Sequence, residues 1–444
     1  MADQLYFSRD TKVFIQIGST IWEVPVLDGF SFSQSTNSSE VTLSEMSGVG
    51  NASRRGKRMF NDSFAPAEWS FSTYMRPFTS VGADSAAAQL AGKFASETDG
   101  DHHSVEEALW AMLAGPGYYD LASNDFLSAA SGTAYITHDG TSSNIDFAQS
   151  NKSVLGTASI FFSMGGPNDT KTVYKIAECC VNEASTDFDI DGIATINWSG
   201  MGTVISDQGE TVPTPTVTEG ITSTNNFIRN RLTTLTAGKY GVPIGVGTGS
   251  GNFPNVPNRR YKIATLGTTN WTALGASSTP AVGEEYVSNS ATASNTGTAG
   301  TAYVETTYSL VLTGGNITIN NNVTFLTPET IGQVNHPLGH VTGARSVSGS
   351  FTCYLNNDTD SSADLFEDLL GDTTVVTNNH RLVFGIGGNT PNLPRVEMTM
   401  LDCHLELPAH SIDDVISLET SFSALPSNID NTDELTVKYF GKDV

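Results

Sequence analysis

Positive charge is what this chain has least of. Lys and Arg number 22 against 47 Asp and Glu, a formal net charge of −25. Tight nucleic-acid binding needs cations that displace counterions from phosphates, so the deficit argues against it. It is compatible with a surface past which nucleic acid slides without sticking, and also with solubility alone. Cysteine is scarce as well. Cys179, Cys180, Cys353 and Cys403 form no CxxC pair, and Cys179 and Cys180 would point to opposite faces of a strand. Neither zinc nor redox chemistry is indicated, and free thiols in a reducing cytoplasm are expected. No apolar stretch approaches the ~18 residues of a membrane span. The opening Met-Ala-Asp-Gln-Leu-Tyr lacks a basic region followed by an apolar core, so no signal peptide is expected.

The motifs of catalysis are missing too. There is no Gly-x-Ser-x-Gly elbow, no His-Glu-x-x-His and no Walker loop. The glycine run Gly245–Gly251 is followed by Pro254 and Pro257 rather than a helix, which excludes a phosphate cradle. His102-His103 with Glu106-Glu107 is the one tight group of metal-ligand residue types. Adjacent histidines cannot both aim at one ion from a helix start, and no third ligand lies nearby in sequence. The expectation is therefore surface decoration. Asp187, Asp189 and Asp191, with Asp413-Asp414 at the matching place later in the chain, could serve a glycosidase as paired acids; they more simply mark turns before a strand. No catalytic residue, no cofactor and no metal is expected, and the chain reads as no enzyme.

What is present is a sequence written twice. Phe7-Ser8-Arg9 returns as Phe227-Ile228-Arg229, and Ser70-Phe71-Ser72-Thr73-Tyr74 as Ser350-Phe351-Thr352-Cys353-Tyr354. Leu109-Trp110, Leu113 and Gly115 return as Leu365-Phe366, Leu369 and Gly371. Phe162 to Gly166 returns as Phe384 to Gly388, Cys179 as Cys403, and Trp198-Ser199 as Phe422-Ser423. The order is kept throughout, with changing offsets that place insertions in loops. So long a period is not that of a solenoid, whose units run to roughly 20–50 residues. Each copy is large enough for a domain. Two copies of one fold in one chain offer equivalent assembly surfaces, which favours building something symmetric. Charged residues make up only 16% of the chain, and Thr, Ser, Asn and Gly are abundant, the profile of an all-β extracellular or virion structural protein.

Strand-like alternation with turn residues runs through residues 11–35, with a hairpin turn at Gly18-Ser19. Residues 36–68 read as a long irregular loop, rich in Ser, Asn and Gly, that carries Arg54, Arg55, Lys57 and Arg58; loops this long are commonly functional. Ser104 and Glu107 form a capping-box pattern ahead of a short helix whose Leu109, Met112 and Leu113 share a face. Strands are predicted at 158–164, 173–183 and 190–199, and again at 381–386, 396–407 and 415–424. The domains are then 1–205 and 223–444, joined by a proline- and threonine-rich linker at 206–222. A small β-rich module at 239–306 interrupts the second, on a glycine-rich flexible stalk.

Two stretches carry a family resemblance. The first runs from Arg54-Arg55-Gly56-Lys57-Arg58-Met59-Phe60 to Glu68-Trp69-Ser70-Phe71-Ser72-Thr73-Tyr74, the second from Gly315-Asn316-Ile317-Thr318 to Leu326-Thr327-Pro328. Both resemble the major tail tube protein of long-tailed siphophages, of the duplicated kind found in Tequintavirus-like phages. This sequence differs in ending near Val444 without an added immunoglobulin-like domain, and in carrying the inserted module. Its segment Tyr261–Tyr303 resembles a small module that recurs in phage structural proteins. The resemblance implies a mainly β fold: two tandem β-sandwich/barrel domains, each with a short flanking helix, whose inner sheets join around a ring. It implies trimeric, pseudo-hexameric rings stacked into a tube, with an acidic lumen that conducts phage DNA without specific binding and encloses the tape-measure protein. Further partners would be other tail proteins, with no membrane. The location would be the virion tail, assembled in the host cytoplasm. Ser31, Ser33, Ser70, Ser72, Thr318, Asn320, Ser350 and Thr352 are the expected lumen-facing residues, with Phe30, Phe32, Phe71, Ile317, Ile319 and Phe351 turned into the core. Arg54, Arg55, Lys57 and Arg58 are the expected contacts to a neighbouring subunit or ring. The module should project from the outer wall. A virion adhesin whose module touches the host surface, or a capsid decoration protein, is the alternative.

Overall fold

The computed structural model describes residues 5–42, 57–79, 101–115, 118–120, 125–127, 134–147, 155–166, 168–215, 227–241, 244–246, 258–289, 297–328, 330–331, 334–371, 380–388, 390, 393–412, 414–429 and 431–441. It is mainly β. The first copy opens with β1 (Lys12–Ile17), β2 (Thr20–Val24), β3 (Ser31–Ser33), β4 (Thr36–Thr42), β5 (Lys57–Phe64), β6 (Ala67–Tyr74), β7 (Pro77–Thr79) and β8 (His102–Ser104). Helix α1 (Glu107–Ala114) follows, then β9 (Tyr118–Asp120), β10 (Asp125–Leu127), β11 (Ala134–His138) and β12 (Ser142–Asp146). The copy closes with β13 (Ala158–Met164), β14 (Thr172–Asp189), β15 (Thr195–Gly202) and β16 (Ile205–Asp207). The second copy has β17 (Thr234–Tyr240), β18 (Ile244–Val246), β19 (Arg260–Thr265), β20 (Glu285–Val287), β21 (Gly300–Ser309), β22 (Leu312–Asn320), β23 (Val323–Leu326), β24 (Gly339–Thr342) and β25 (Ser346–Tyr354). It ends with helix α2 (Ser362–Gly371), β26 (His380–Ile386), β27 (Arg395–Leu405), β28 (Ala409–Ile412), β29 (Ile416–Leu425) and β30 (Thr436–Phe440).

The pairings repeat with the sequence. β1 lies between β2 and β13, and β13 pairs β14; likewise β17 lies between β21 and β26, and β26 pairs β27. These strands form an outer layer in each copy. β14 belongs to two layers: its first half pairs β13 and β16, its second half pairs β15. The change falls beside Glu178, a non-glycine residue at φ 50, where the register to β13 shifts, as a bulge that bends a strand would do. The inner layer runs β3-β6-β15-β14-β22-β25-β29-β28, antiparallel throughout. Its central seam joins the copies, from Glu183 opposite Asn320 to Asp189 opposite Gly314. A second junction lies outside, where β30 pairs both β27 and the first copy's β12.

One hydrophobic core runs through both copies, from Val13 and Trp22 through Trp198 to Phe384 and Tyr439. Phe188 meets Phe384 across the seam at 5.4 Å. The copies are folded onto each other rather than strung on a tether. Part of the segment expected as linker also packs: β16 pairs β14, and Val212 covers Phe14, Phe161 and Val173. Residues 216–222 lie outside the described residues.

Strand pairing corrects one sequence match by two residues. Ser70 faces Ser199 and its counterpart Ser350 faces Ser421, which sets Trp198 level with Thr420 and Gly200 level with Phe422. The reason is packing. In the first copy the Trp69 ring lies over Gly200; in the second the Phe422 ring lies over Gly349, and a Cβ on either glycine would overlap the ring. The aromatic fills the same space from opposite strands, so matching aromatic to aromatic misplaces the register.

The sequence of α1, Glu-Ala-Leu-Trp-Ala-Met-Leu-Ala, is apolar all round after its first residue, and the helix is buried on every side. Trp110 meets Trp198 edge-on at 5.1 Å and donates Nε1–H to the Tyr439 hydroxyl at 2.8 Å. Asn321 of the second copy donates to the Leu113 carbonyl at 3.0 Å. The expected capping box does not form: Ser104 sits on β8, and the N-cap, Glu106, makes no side-chain cap. By contrast α2 buries only Ser362, Leu365 and Leu369.

The inserted module has its own core of Tyr261, Ile263, Trp271, Leu274 and Tyr286. β21 pairs β18 and β19 at its start and β17 at its end, so one connection is a continuous strand and not the flexible stalk expected. Of the glycine run, residues 247–251 lie outside the described residues. Where the strand enters the body, Arg381 grips Glu305 through two bonds of 2.6 and 3.0 Å. The Glu305 carboxylate lies over Gly238 of β17, where any Cβ would collide with it.

Candidate functional site

The inner layer has one face in the core and one open. Trp69, Phe71, Ile317, Ile319 and Phe351 are buried, and Phe30 and Phe32 pack partly buried against them. On the opposite face Ser31 and Ser33 are exposed, and Ser70, Ser72, Thr318, Asn320, Ser350 and Thr352 are half-exposed. Hydrogen bonds tie this polar set together: Ser31 to Ser70 at 2.8 Å, Ser72 to Asn197 at 2.6 Å, and Asn320 to Glu183 at 3.0 Å.

The same face carries residues that the sequence had not placed there. Directly paired residues of an antiparallel sheet share a face, so the registers add Glu68, Asn197, Ser199, Glu183, Ser185, Asp187, Asn316, Ser348, Glu419, Ser421 and Ser423. Among the described residues this face holds acids, amides and hydroxyls and no lysine or arginine. Period-two alternation in Thr195-Ile196-Asn197-Trp198-Ser199 was the signal that could have found the β15 members. Asp187 and Asp189, at the end of β14, line an open cleft of ≈ 540 Å³ with Asp191, Thr313, Gly314 and Thr352. Asp189 accepts the Asp191 N–H at 3.1 Å, as in a strand-end turn.

The layer ends in two exposed edges. Among the described residues β3 pairs β6 alone and β28 pairs β29 alone, and all four residues of β28 are exposed. The segment 36–68, expected as an irregular loop, contains a two-stranded arm of β4 and β5. Most of the arm is exposed on both faces, so no hydrophobic alternation marks it. Its base is held by the second copy: the Phe64 N–H donates to Asn335 at 2.8 Å, and Phe64 stacks on His336 at 4.8 Å. Lys57 and Arg58 lie on β5, with Lys57 paired to Glu40 of the same arm at 3.0 Å; Arg54 and Arg55 lie outside the described residues. Met59 and Phe60 are exposed beside them.

His102, His103, Glu106 and Glu107 are not surface decoration. All four are buried. His103 Nδ1 is 2.8 Å from Glu107 Oε2, Trp22 Nε1–H donates to Glu107 Oε1 at 2.8 Å, and the Tyr439 hydroxyl donates to Glu106. Burial pushes Glu106 up to about 7, partly offset by Tyr439 and Arg76, and pushes Glu107 up as well. It pushes His103 and His138 down to about 3. The partners lie too far off in sequence for spacing to reveal them.

Comparison with known proteins places these features. The family model described as phage tail tube protein matches residues 260–441. The tail tube protein pb6 of Escherichia phage T5 is 26% identical over 443 residues, covering 97% of this chain and 75% of that protein. The chain thus carries a match to the tail tube family over its second half and resembles a tail tube protein along nearly all of its length. A tail tube protein is a structural component of the virion, built into a tube with other tail proteins. That role takes the place of the adhesin and decoration readings. Among the described residues no helix is long and apolar enough to cross a membrane.

Proposed function

We propose that three copies of this chain close into a ring with pseudo-sixfold symmetry, and that stacked rings form a tube whose open face lines a DNA channel. The observation that carries this reading is the seam between β14 and β22. By register β3 is the first copy's counterpart of β22, since Ser31 faces Ser70 as Asn316 faces Ser350. β28 lies beside β29 as the end of β14 lies beside β15. Each chain therefore has one mated seam and the two halves of a second. Joining β28 of one chain to β3 of the next repeats the internal seam and removes both edges, which would otherwise invite aggregation. Eight inner strands per chain would make a barrel of 24 in a ring of three. An acidic, hydroxyl-rich lining without cations repels phosphates and lets DNA pass without adhering. Before ejection the same channel would enclose the tape-measure protein. The chain catalyses no reaction in this role.

Register makes the test specific. Ser185 faces Thr318 in the internal seam, so Ala409 should face Ser33 of the neighbour. In tubes formed by the Ser33→Cys, Ala409→Cys variant, oxidation should link chains into a ladder on a non-reducing gel that stops at three. A ladder to six would refute the threefold ring. Well-formed tubes with no crosslink would refute the seam.

A further inference from the structure

We propose that His103, Glu107 and His138 bind one divalent transition-metal ion, zinc by ligand chemistry, inside the first copy. Their ligand atoms all lie within 4.8 Å of one another, and all three side chains are buried. The decisive geometry is at His138. Its Nδ1 is 3.1 Å from the His102 carbonyl oxygen, so that nitrogen carries the hydrogen and Nε2 presents a lone pair. Nε2 points at Glu107 Oε2, 3.6 Å away, and has no hydrogen-bond partner among the described residues. Two buried lone pairs facing each other repel unless a cation lies between them. A proton makes no useful hydrogen bond across 3.6 Å. A zinc ion with bonds of about 2.0 Å to nitrogen and oxygen spans that gap.

The surroundings have the form of a support around metal ligands. His138 is oriented by the backbone carbonyl of His102, and Glu107 by Trp22 on its other oxygen at 2.8 Å, the arrangement that fixes ligand orientation and raises basicity. His103 is held between rings, with Phe78 at 5.0 Å and His138 at 4.0 Å. Two imidazoles and a carboxylate suit zinc among the common divalent ions. The ion would clamp β8, α1 and β11 together, behind the outer junction of β12 with β30. The second copy cannot hold one: by the helix match, Thr359 and Ala363 stand where His103 and Glu107 do.

The full chain, purified without an affinity tag, loaded with zinc and passed through gel filtration, should keep about one zinc per chain by plasma mass spectrometry. His138→Ala should keep none. Trp22→Phe should keep zinc with roughly tenfold weaker affinity, as loss of one supporting bond does. A wild-type chain that keeps no zinc overturns the proposal. So does zinc held equally by wild type and His138→Ala, which would place the ion on the acidic surface. Where His138→Ala fails to fold, X-ray absorption at the zinc edge of the wild-type chain decides: two imidazole ligands sustain the site, and a shell of oxygens alone overturns it.

Discussion

Replacing Arg381 with methionine tests whether the module is built rigidly into the body of the protein. Arg381 on β26 and Glu305 on β21 reach across β17 and bond twice, at 2.6 and 3.0 Å, with side chains 9% and 3% exposed. Burial would push the Arg381 guanidinium down, but Glu305 outweighs it and holds the group above its ordinary value, so the cation persists. Arg381→Met leaves the Glu305 carboxylate buried without its cation, a loss of about 3–5 kcal/mol. At about 1.4 kcal/mol per factor of ten, amides of β17, β21 and β26 that exchange through local opening should lose protection by two decades or more. Hydrogen exchange read by mass spectrometry resolves those strands separately from the inner layer. The double variant Glu305→Met, Arg381→Met removes both charges and should recover most of the loss, because apolar groups of similar volume replace a buried pair at little cost. Unchanged protection in Arg381→Met, or a double variant as weak as the single one, would show that the pair does not hold β21 in place.

Deleting 239–306 removes Glu305 along with the module and should destabilise the chain by about 3–5 kcal/mol in thermal melts; deleting 242–303, which spares the β17–β21 pairing, should leave stability and tube formation intact. A soluble 242–303 deletion that makes no tubes under negative stain would mean that the module is an assembly element. Asn197→Lys with Glu419→Lys puts cations at matched places on β15 and β29, and phage carrying that protein should eject DNA slowly at low salt. The delay should fall about tenfold per decade of salt for each phosphate engaged, and a delay indifferent to salt would count against an electrostatic lining. Reversing Arg54, Arg55, Lys57 and Arg58 to glutamate should block polymerisation with the monomer still folded; tubes at ordinary salt would make these charges solvated ones only.

Much of the fold could be read in the sequence because its inner strands have one apolar and one polar face. Ser70-Phe71-Ser72 and its counterpart Ser350-Phe351-Thr352 alternate, and the first predicted strand of the sandwich, 158–164, coincides with β13. The strand predicted at 190–199 begins instead at Thr195, because Asp189 to Gly192 form the turn. The arm escaped notice for the opposite reason: with water on both sides, β4 and β5 have no pattern to betray them. The buried cluster was misread because polar residues normally mark a surface. Glu107 is held by Trp22, 85 residues before it, and His103 lies between Phe78 and His138; partners so remote leave no local trace. The register of Gly200 against Trp69 escaped likewise, since two copies can fill one volume from different strands.

β21 has a mechanical meaning. One end is woven into the module, and the other, after Leu310 and Val311, turns into β22, the second copy's side of the central seam. It acts as a tie rod. A strand pulled along its length between hydrogen-bonded neighbours loads all its rungs together, whereas one peeled from its end loads them singly. Lengthwise tension on the module is therefore carried in shear along β17 and delivered to β22 with little slack. The inserted module and the inner layer are two stations on the same short length of backbone.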